Sequence, residues 1–233
     1  MTLIIKQTNP IRKECSSKNN WNFIYKKSDN VITAVGRQKY FCIGMVDIIN
    51  STKTVALLQQ DMVPKYYEIF LNNMAKPVNY HQGKILKIMG DSLLFYFSDI
   101  YHNDHSLDFL NPIECIFSMM EMHKKLNQIL KKYHLPQIDF RVSLDYGNVT
   151  IMKTRDGLID FVGPAINSCA KINEFAPVNG TIIGGDLYEK IRHSHKYGFK
   201  NAGCLSIGLK KSYPTFSPYR KTYDPFLISG EDR

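Results

Sequence analysis

Apolar and polar positions divide the chain into segments of two periods. From Tyr40 to Ile48 apolar residues run almost unbroken over the length of one strand. Asn50-Ser51-Thr52 then supplies a helix start, so the pattern predicts a helix from Ser51 to Gln60, capped by Asn50 or Ser51. A second helix is predicted from Pro64 to Tyr80, with proline in its first turn. Lys84 to Met89 and Ser92 to Phe97 are short apolar strands separated only by Gly90 and Asp91, the length and chemistry of a tight hairpin, which puts Asp91 on a turn. Pro112 to Tyr133 repeats at helical period. Ile113, Ile116, Phe117, Met120, His123, Asn127 and Leu130 share one face, and the two polar members mark a core helix rather than a membrane one.

Ile138 to Tyr146 and Val149 to Lys153 read as another hairpin, turning at Gly147 and Asn148. Pro164 to Phe175 reads as a helix, Thr181 to Ile183 as a strand, Asp186 to Ile191 as a short helix, with weak strands near Leu205 and Pro218. Strands joined by hairpins and interspersed with helices indicate an α+β fold, a mostly antiparallel sheet with helices packed on it. Composition shifts near Gly36, which divides the chain into a basic N-terminal extension, 1–36, and one main domain, 37–233.

At 233 residues, 44% hydrophobic and 22% charged, the chain is globular rather than disordered and can bury a core of ordinary size. Its apolar runs are far shorter than the roughly 18 residues of a membrane span. The N-terminus lacks the order of segments in a signal peptide, so no membrane span and a cytoplasmic location are expected. The five cysteines (Cys15, Cys42, Cys115, Cys169, Cys204) are odd in number and far apart, which reads as reduced and structural. His102/His105 and His193/His195 lie in polar stretches with no Cys or carboxylate at matching spacing, and read as surface histidines rather than zinc ligands. The net charge of +9 attracts polyanions, whether nucleic acid, an acidic membrane surface or a nucleoside triphosphate. Much of the excess sits in residues 1–40, where eight cations face only Glu14 and Asp29. A solvated extension packing Trp21 and Phe23 on the domain accounts for it, and no recognised nucleic-acid motif is present, so nucleic acid is not the expected partner.

Two carboxylates carry the candidate chemistry. Asp47 ends an apolar strand just before a helix start, whose free N–H groups and positive dipole end would face the same side. Asp91 adds a second exposed carboxylate on a hairpin tip. Two hard oxygen ligands are what Mg2+ or Mn2+ needs when substrate phosphates and water complete the shell.

The chain resembles the class III adenylyl and guanylyl cyclase family at four places between residues 40 and 192. These are Met45-Val46-Asp47-Ile48-Ile49-Asn50-Ser51-Thr52, Gly83 to Gly90-Asp91, Phe140-Arg141-Val142-Ser143-Leu144-Asp145-Tyr146-Gly147-Asn148-Val149, and Asp160-Phe161-Val162-Gly163-Pro164-Ala165-Ile166-Asn167-Ser168-Cys169-Ala170-Lys171. The resemblance implies a ferredoxin-like core and a head-to-tail homodimer with composite sites. It implies two metals per site, Mg2+ or Mn2+, on Asp47, Asp91 and the Ile48 carbonyl, with the Asn50, Ser51 and Thr52 amides cradling phosphate. Lys87 and Asp160 of the mate would read the base, Asn167 would orient the ribose, and Lys171 would act catalytically beside it. An ammonium donor and a carboxylate acceptor match the adenine edge, so ATP is the expected substrate and 3′,5′-cyclic AMP with pyrophosphate the products.

Three positions depart from the family pattern. Lys171 stands where the family usually has arginine, and lysine keeps the charge but loses the bidentate fork. Ser143 and Asp145 replace residues that are commonly glycine and histidine. The alternative reading is a catalytically weak or inactive module that binds nucleotide for regulation, and Lys171 is the residue that favours it. A diguanylate cyclase is disfavoured because Met89-Gly90-Asp91-Ser92-Leu93 does not match that hairpin signature.

Overall fold

A computed structural model describes residues 32–35, 38–98, 110–208 and 210–221. The elements run β1 (Ile32–Ala34), β2 (Lys39–Ile48), α1 (Ser51–Ala56), α2 (Val63–Tyr80), β3 (Lys84–Met89), β4 (Ser92–Phe97), α3 (Leu110–Lys132) and β5 (Phe140–Thr154). They continue β6 (Ile159–Val162), α4 (Pro164–Asn173), β7 (Gly180–Gly184), α5 (Gly185–Ile191), β8 (Tyr197–Ile207) and β9 (Lys210–Arg220). The sheet order is β3-β4-β2-β5-β7-β9-β8, with β1 and β6 pairing the far end of β5. Every pairing is antiparallel except β5 with β7. The fold is α+β, as the pattern predicts.

Alternation along β2 sorts the core. Cys42, Val46 and Ile48 face α2, α3 and α5, and pack with Phe70, Met74, Ile113, Ile116 and Leu187. Phe41, Ile43 and Met45 face α4, and pack with Leu94, Phe161, Ala165 and Cys169. Asp47 continues the second series, so its side chain belongs to the α4 face of the sheet.

The structure corrects three expectations. Gly147 and Asn148 do not turn: β5 runs through them, paired with Phe41 and Tyr40, and the hairpin comes later, between β5 and β6. Close approach explains this glycine, because a Cβ at Gly147 would lie 3.2 Å from the Ala165 Cβ on α4. The helix expected to reach Gln60 ends at Ala56. The Leu58 N–H bonds back to the Val55 carbonyl at 3.1 Å and the chain turns, packing Leu58 and Met62 on the core while Leu57 stays exposed. On α3 the fully buried face carries Cys115, Met119 and Leu126 beside Ile113, Ile116 and Leu130, leaving Phe117, Met120, His123 and Asn127 half-buried. The weak C-terminal strands are one long hairpin, β8 with β9.

Cys42, Cys115 and Cys169 are buried free thiols, and burial pushes Cys169 up to about 12. His193 and His195 are exposed, and the described residues contain no group of three or more His, Cys, Asp or Glu placed to hold a metal. Among them no helix is long and apolar enough to cross a membrane. Trp21, Phe23, Cys15, His102 and His105 lie outside the described residues.

Candidate active site

Asp47 sits second from the end of β2 with strands on both sides, opposite Ser92 on β4 and Arg141 on β5. The Ser92 hydroxyl, itself buried, donates to Asp47 Oδ1 at 2.5 Å, and Arg141 Nη2 lies 3.5 Å from Oδ2. Asp91 immediately precedes Ser92, so the β3–β4 turn brings the second carboxylate beside the first. Gly90 makes that turn with φ +62 and open space where a Cβ would be. The Asp91 side chain is half-buried rather than exposed as expected and has no hydrogen bond or ion pair among the described residues, so one carboxylate is fixed and the other is not.

Asn50, one of the two residues expected to cap α1, takes the N-cap position, but with left-handed geometry (φ 56) and no side-chain hydrogen bond to the helix. The first helical bond runs from the Thr54 N–H to the Asn50 carbonyl at 3.1 Å, so the amides of Ser51, Thr52 and Lys53 are not used by α1. The donor set fits a hard divalent cation. Asp47, Asp91 and the Ile48 carbonyl supply only oxygen, and too few of them to close a shell without water and phosphate.

Lys87 on β3 and Asp160 on β6 are 73 positions apart in sequence, yet Lys87 Nζ lies 2.6 Å from Asp160 Oδ2. The β5–β6 hairpin folds back over the α4 face: Phe161 stacks on Phe41 at 5.1 Å and meets Tyr96 at 4.7 Å, and Asp160 accepts the Phe161 N–H. The pair is part-exposed, with side chains 33% and 45% accessible. Asn167 is exposed on the first half of α4 and lines a cleft of about 590 Å3 with Tyr40, Asp145, Asn148 and Asp186. A second cleft of about 600 Å3 is lined by Lys39, Lys84, Tyr96 and Phe161. Neither of these two clefts is lined by Asp47, Asp91, Lys87 or Asp160.

Lys171 points to the end of α4, where Nζ pairs with Glu174 Oε2 at 2.6 Å and lies 5.5 Å from the centre of the Phe175 ring. Both unusual strand residues have structural partners. Ser143 Oγ donates to the Cys169 carbonyl at 2.9 Å. Buried Asp145 accepts the Tyr213 hydroxyl at 2.8 Å, and that oxygen in turn accepts the Asp186 N–H at 3.0 Å. Burial and the Asp145 charge push the Tyr213 phenol far up. Spacing along the chain assigns no individual role to Arg141, Ser92 or Glu174. Their signal is cross-strand register and helix-end geometry, which spacing along the chain does not carry.

No family model matches the chain. Among solved structures, the adenylyl cyclase CyaB from P. aeruginosa superposes with a TM-score of 0.71 at 18% identity, covering 81% of this chain and 97% of that one. The chain has the class III nucleotidyl cyclase fold. A solved guanylyl cyclase matches this cyclase fold with a TM-score of 0.68 at 19% identity, over 82% of this chain and 96% of its own. The guanylate cyclase domain of RhGC from Catenaria anguillulae, solved with GTP, gives 0.67 at 14%, over 80% and 100%. A curated relative, the cytidylate cyclase of Staphylococcus aureus, is 23% identical over 159 residues, 64% of this chain and 37% of that protein. The chain thus matches little more than a third of that relative's length.

Proposed function

We propose that the chain is a nucleotidyl cyclase that converts a nucleoside triphosphate to its 3′,5′-cyclic monophosphate and pyrophosphate. The observation that carries this reading is the Lys87–Asp160 pair at 2.6 Å, set on the same sheet as the adjacent carboxylates Asp47 and Asp91. Asp47, Asp91 and the Ile48 carbonyl would hold two Mg2+ or Mn2+ ions. Bound there, the ions supply acidification of the ribose 3′-hydroxyl and neutralisation of the departing pyrophosphate. The chain's own part is positioning: first-turn amides of α1 on phosphate, Asn167 on the ribose, Lys171 on the reacting phosphate, Lys87 and Asp160 on the base.

Exposed apolar side chains beside the candidate residues support a homodimer with composite sites. Ile88 beside Lys87, Ile159 and Val162 beside Asp160, and Phe175 beneath Lys171 are each 46–57% exposed. Apolar surface interleaved with the candidate residues is what a second copy would cover while completing the site.

Base choice divides along one edge. Adenine offers an acceptor at N1 beside an amino donor at N6, which Lys87 and Asp160 complement, and this favours ATP. Cytosine presents the same pattern at N3 and its 4-amino group. The similarity to a cytidylate cyclase therefore favours CTP as a second reading, while guanine and uracil reverse the edge. Incubation with ATP, GTP, CTP and UTP plus Mg2+ or Mn2+, with products identified by mass, tests the proposal. Cyclic AMP or cyclic CMP, absent with Asp47→Ala and Asp91→Ala, is the expected result. Metal-dependent binding by a dimer without any cyclic product would replace it with the inactive regulatory module.

A further inference from the structure

Arg141 is held in an unfinished way. Its Nη1 donates to the Glu174 carbonyl at the end of α4 at 2.9 Å, its Nη2 stands 3.5 Å from Asp47 Oδ2, and its Nε is buried without a hydrogen-bond partner among the described residues. A buried N–H left unpaired is unfavourable, and 3.5 Å is long for a charged contact when the Lys87–Asp160 pair closes to 2.6 Å. The guanidinium is therefore anchored on the carbonyl and only loosely engaged with the carboxylate. Ser92 differs: its short bond to Oδ1 fixes the Asp47 side chain from the opposite strand.

We propose that Arg141 is a positioning residue that stands in for a cation at Asp47, neutralising the carboxylate in the metal-free chain and withdrawing from it when a divalent cation binds. The inference rests on the metal role proposed for Asp47. Because Ser92 keeps the carboxylate oriented, loss of Arg141 removes mainly a competing positive charge. The sign follows: a neutral residue at 141 strengthens cation binding, whereas a residue needed only to hold the strands together would weaken it or leave it unchanged.

The test is Mn2+ binding to the full chain without nucleotide, read from the electron paramagnetic resonance of free Mn2+. Arg141→Gln is expected to tighten binding about three- to tenfold, the scale of one part-buried charge acting on a divalent ion. Arg141→Lys, which keeps the charge, is expected to stay within about twofold of wild type on the same reasoning. Unchanged or weaker binding by Arg141→Gln overturns the inference. The wild-type chain gives a second measurement that needs no variant to fold: saturating Mg2+ should shift the Arg141 Nε–H resonance in 15N spectra, and an unmoved resonance also overturns it. The two levels separate cleanly. Wild-type Mn2+ binding that is lost in Asp47→Ala but unaffected by Arg141→Gln removes this inference alone, and no Mn2+ binding by wild type removes the metal site with it.

Discussion

Reversing the polarity of the base-reading pair offers a sharp test of how the site selects nucleotides. Lys87 and Asp160 form one ion pair across β3 and β6, so Lys87→Glu combined with Asp160→Lys keeps a pair of opposite charges while exchanging donor and acceptor. The carboxylate then sits where a ring N–H of guanine or uracil can donate, and the ammonium where a carbonyl can accept. A mismatched edge leaves two polar contacts unmade, about 1 to 3 kcal/mol each when buried. With the side chains 33% and 45% accessible, the lower end applies, roughly 2 to 3 kcal/mol in all, or about 30- to 160-fold in kcat/KM. Steady-state kcat/KM for the four triphosphates should favour ATP or CTP in wild type and GTP or UTP in the double variant. Lys87→Glu alone places two carboxylates together and should lose both preferences. An active double variant that still prefers ATP or CTP would refute the edge-reading argument.

Other consequences are equally direct. Tyr213→Phe removes a buried hydroxyl that links Asp145 to the Asp186 amide, and should cost about 2 to 4 kcal/mol, a fall in Tm of roughly 5 to 15 °C in thermal melts. A loss below about 1 kcal/mol would show that the link matters little. Lys171→Arg restores the bidentate fork and should raise kcat by about tenfold if Lys171 contacts the reacting phosphate, with an unchanged kcat counting against that role. Glu174→Gln frees the Lys171 ammonium from an exposed pair and should raise kcat by up to about fivefold, an unchanged kcat counting against the same role. Burial alone would push the Glu114 carboxyl up, but hydrogen bonds from Lys196, Tyr197 and Arg220 outweigh it and hold it at about 2. A depressed acid stabilises the fold above its ordinary value of 4.5 and loses that contribution as pH falls toward 2. The stability advantage of wild type over Glu114→Gln in urea titrations should therefore shrink across that window and be flat above it.

The carboxylates and the hairpin that carries Asp91 were legible because their signals are local. An apolar run ending in Asp, and two short strands split by Gly-Asp, need no knowledge of distant residues. The same local reasoning misread Gly147-Asn148 as a turn. Glycine followed by asparagine is a turn signal only when nothing outside the segment competes, and here β2 pairs straight through both positions while α4 packs against Gly147. The face of α3 was misjudged for a related reason, since periodicity shows that a face exists while the packing of α2 against it decides which residues are covered.

By itself, then, the sequence determined the α+β class, the strand end that bears Asp47, the turn that bears Asp91, and the order of the four motifs that resemble the cyclases. Each of these depends on the period or chemistry of a few consecutive residues. Only the tertiary structure decided that Lys87 and Asp160 form one pair, that Ser92 and Arg141 address the two oxygens of Asp47, and that Glu174 holds Lys171. Strand register and the fold-back of β6 bring together residues up to 94 positions apart, and no local preference encodes a contact at that range.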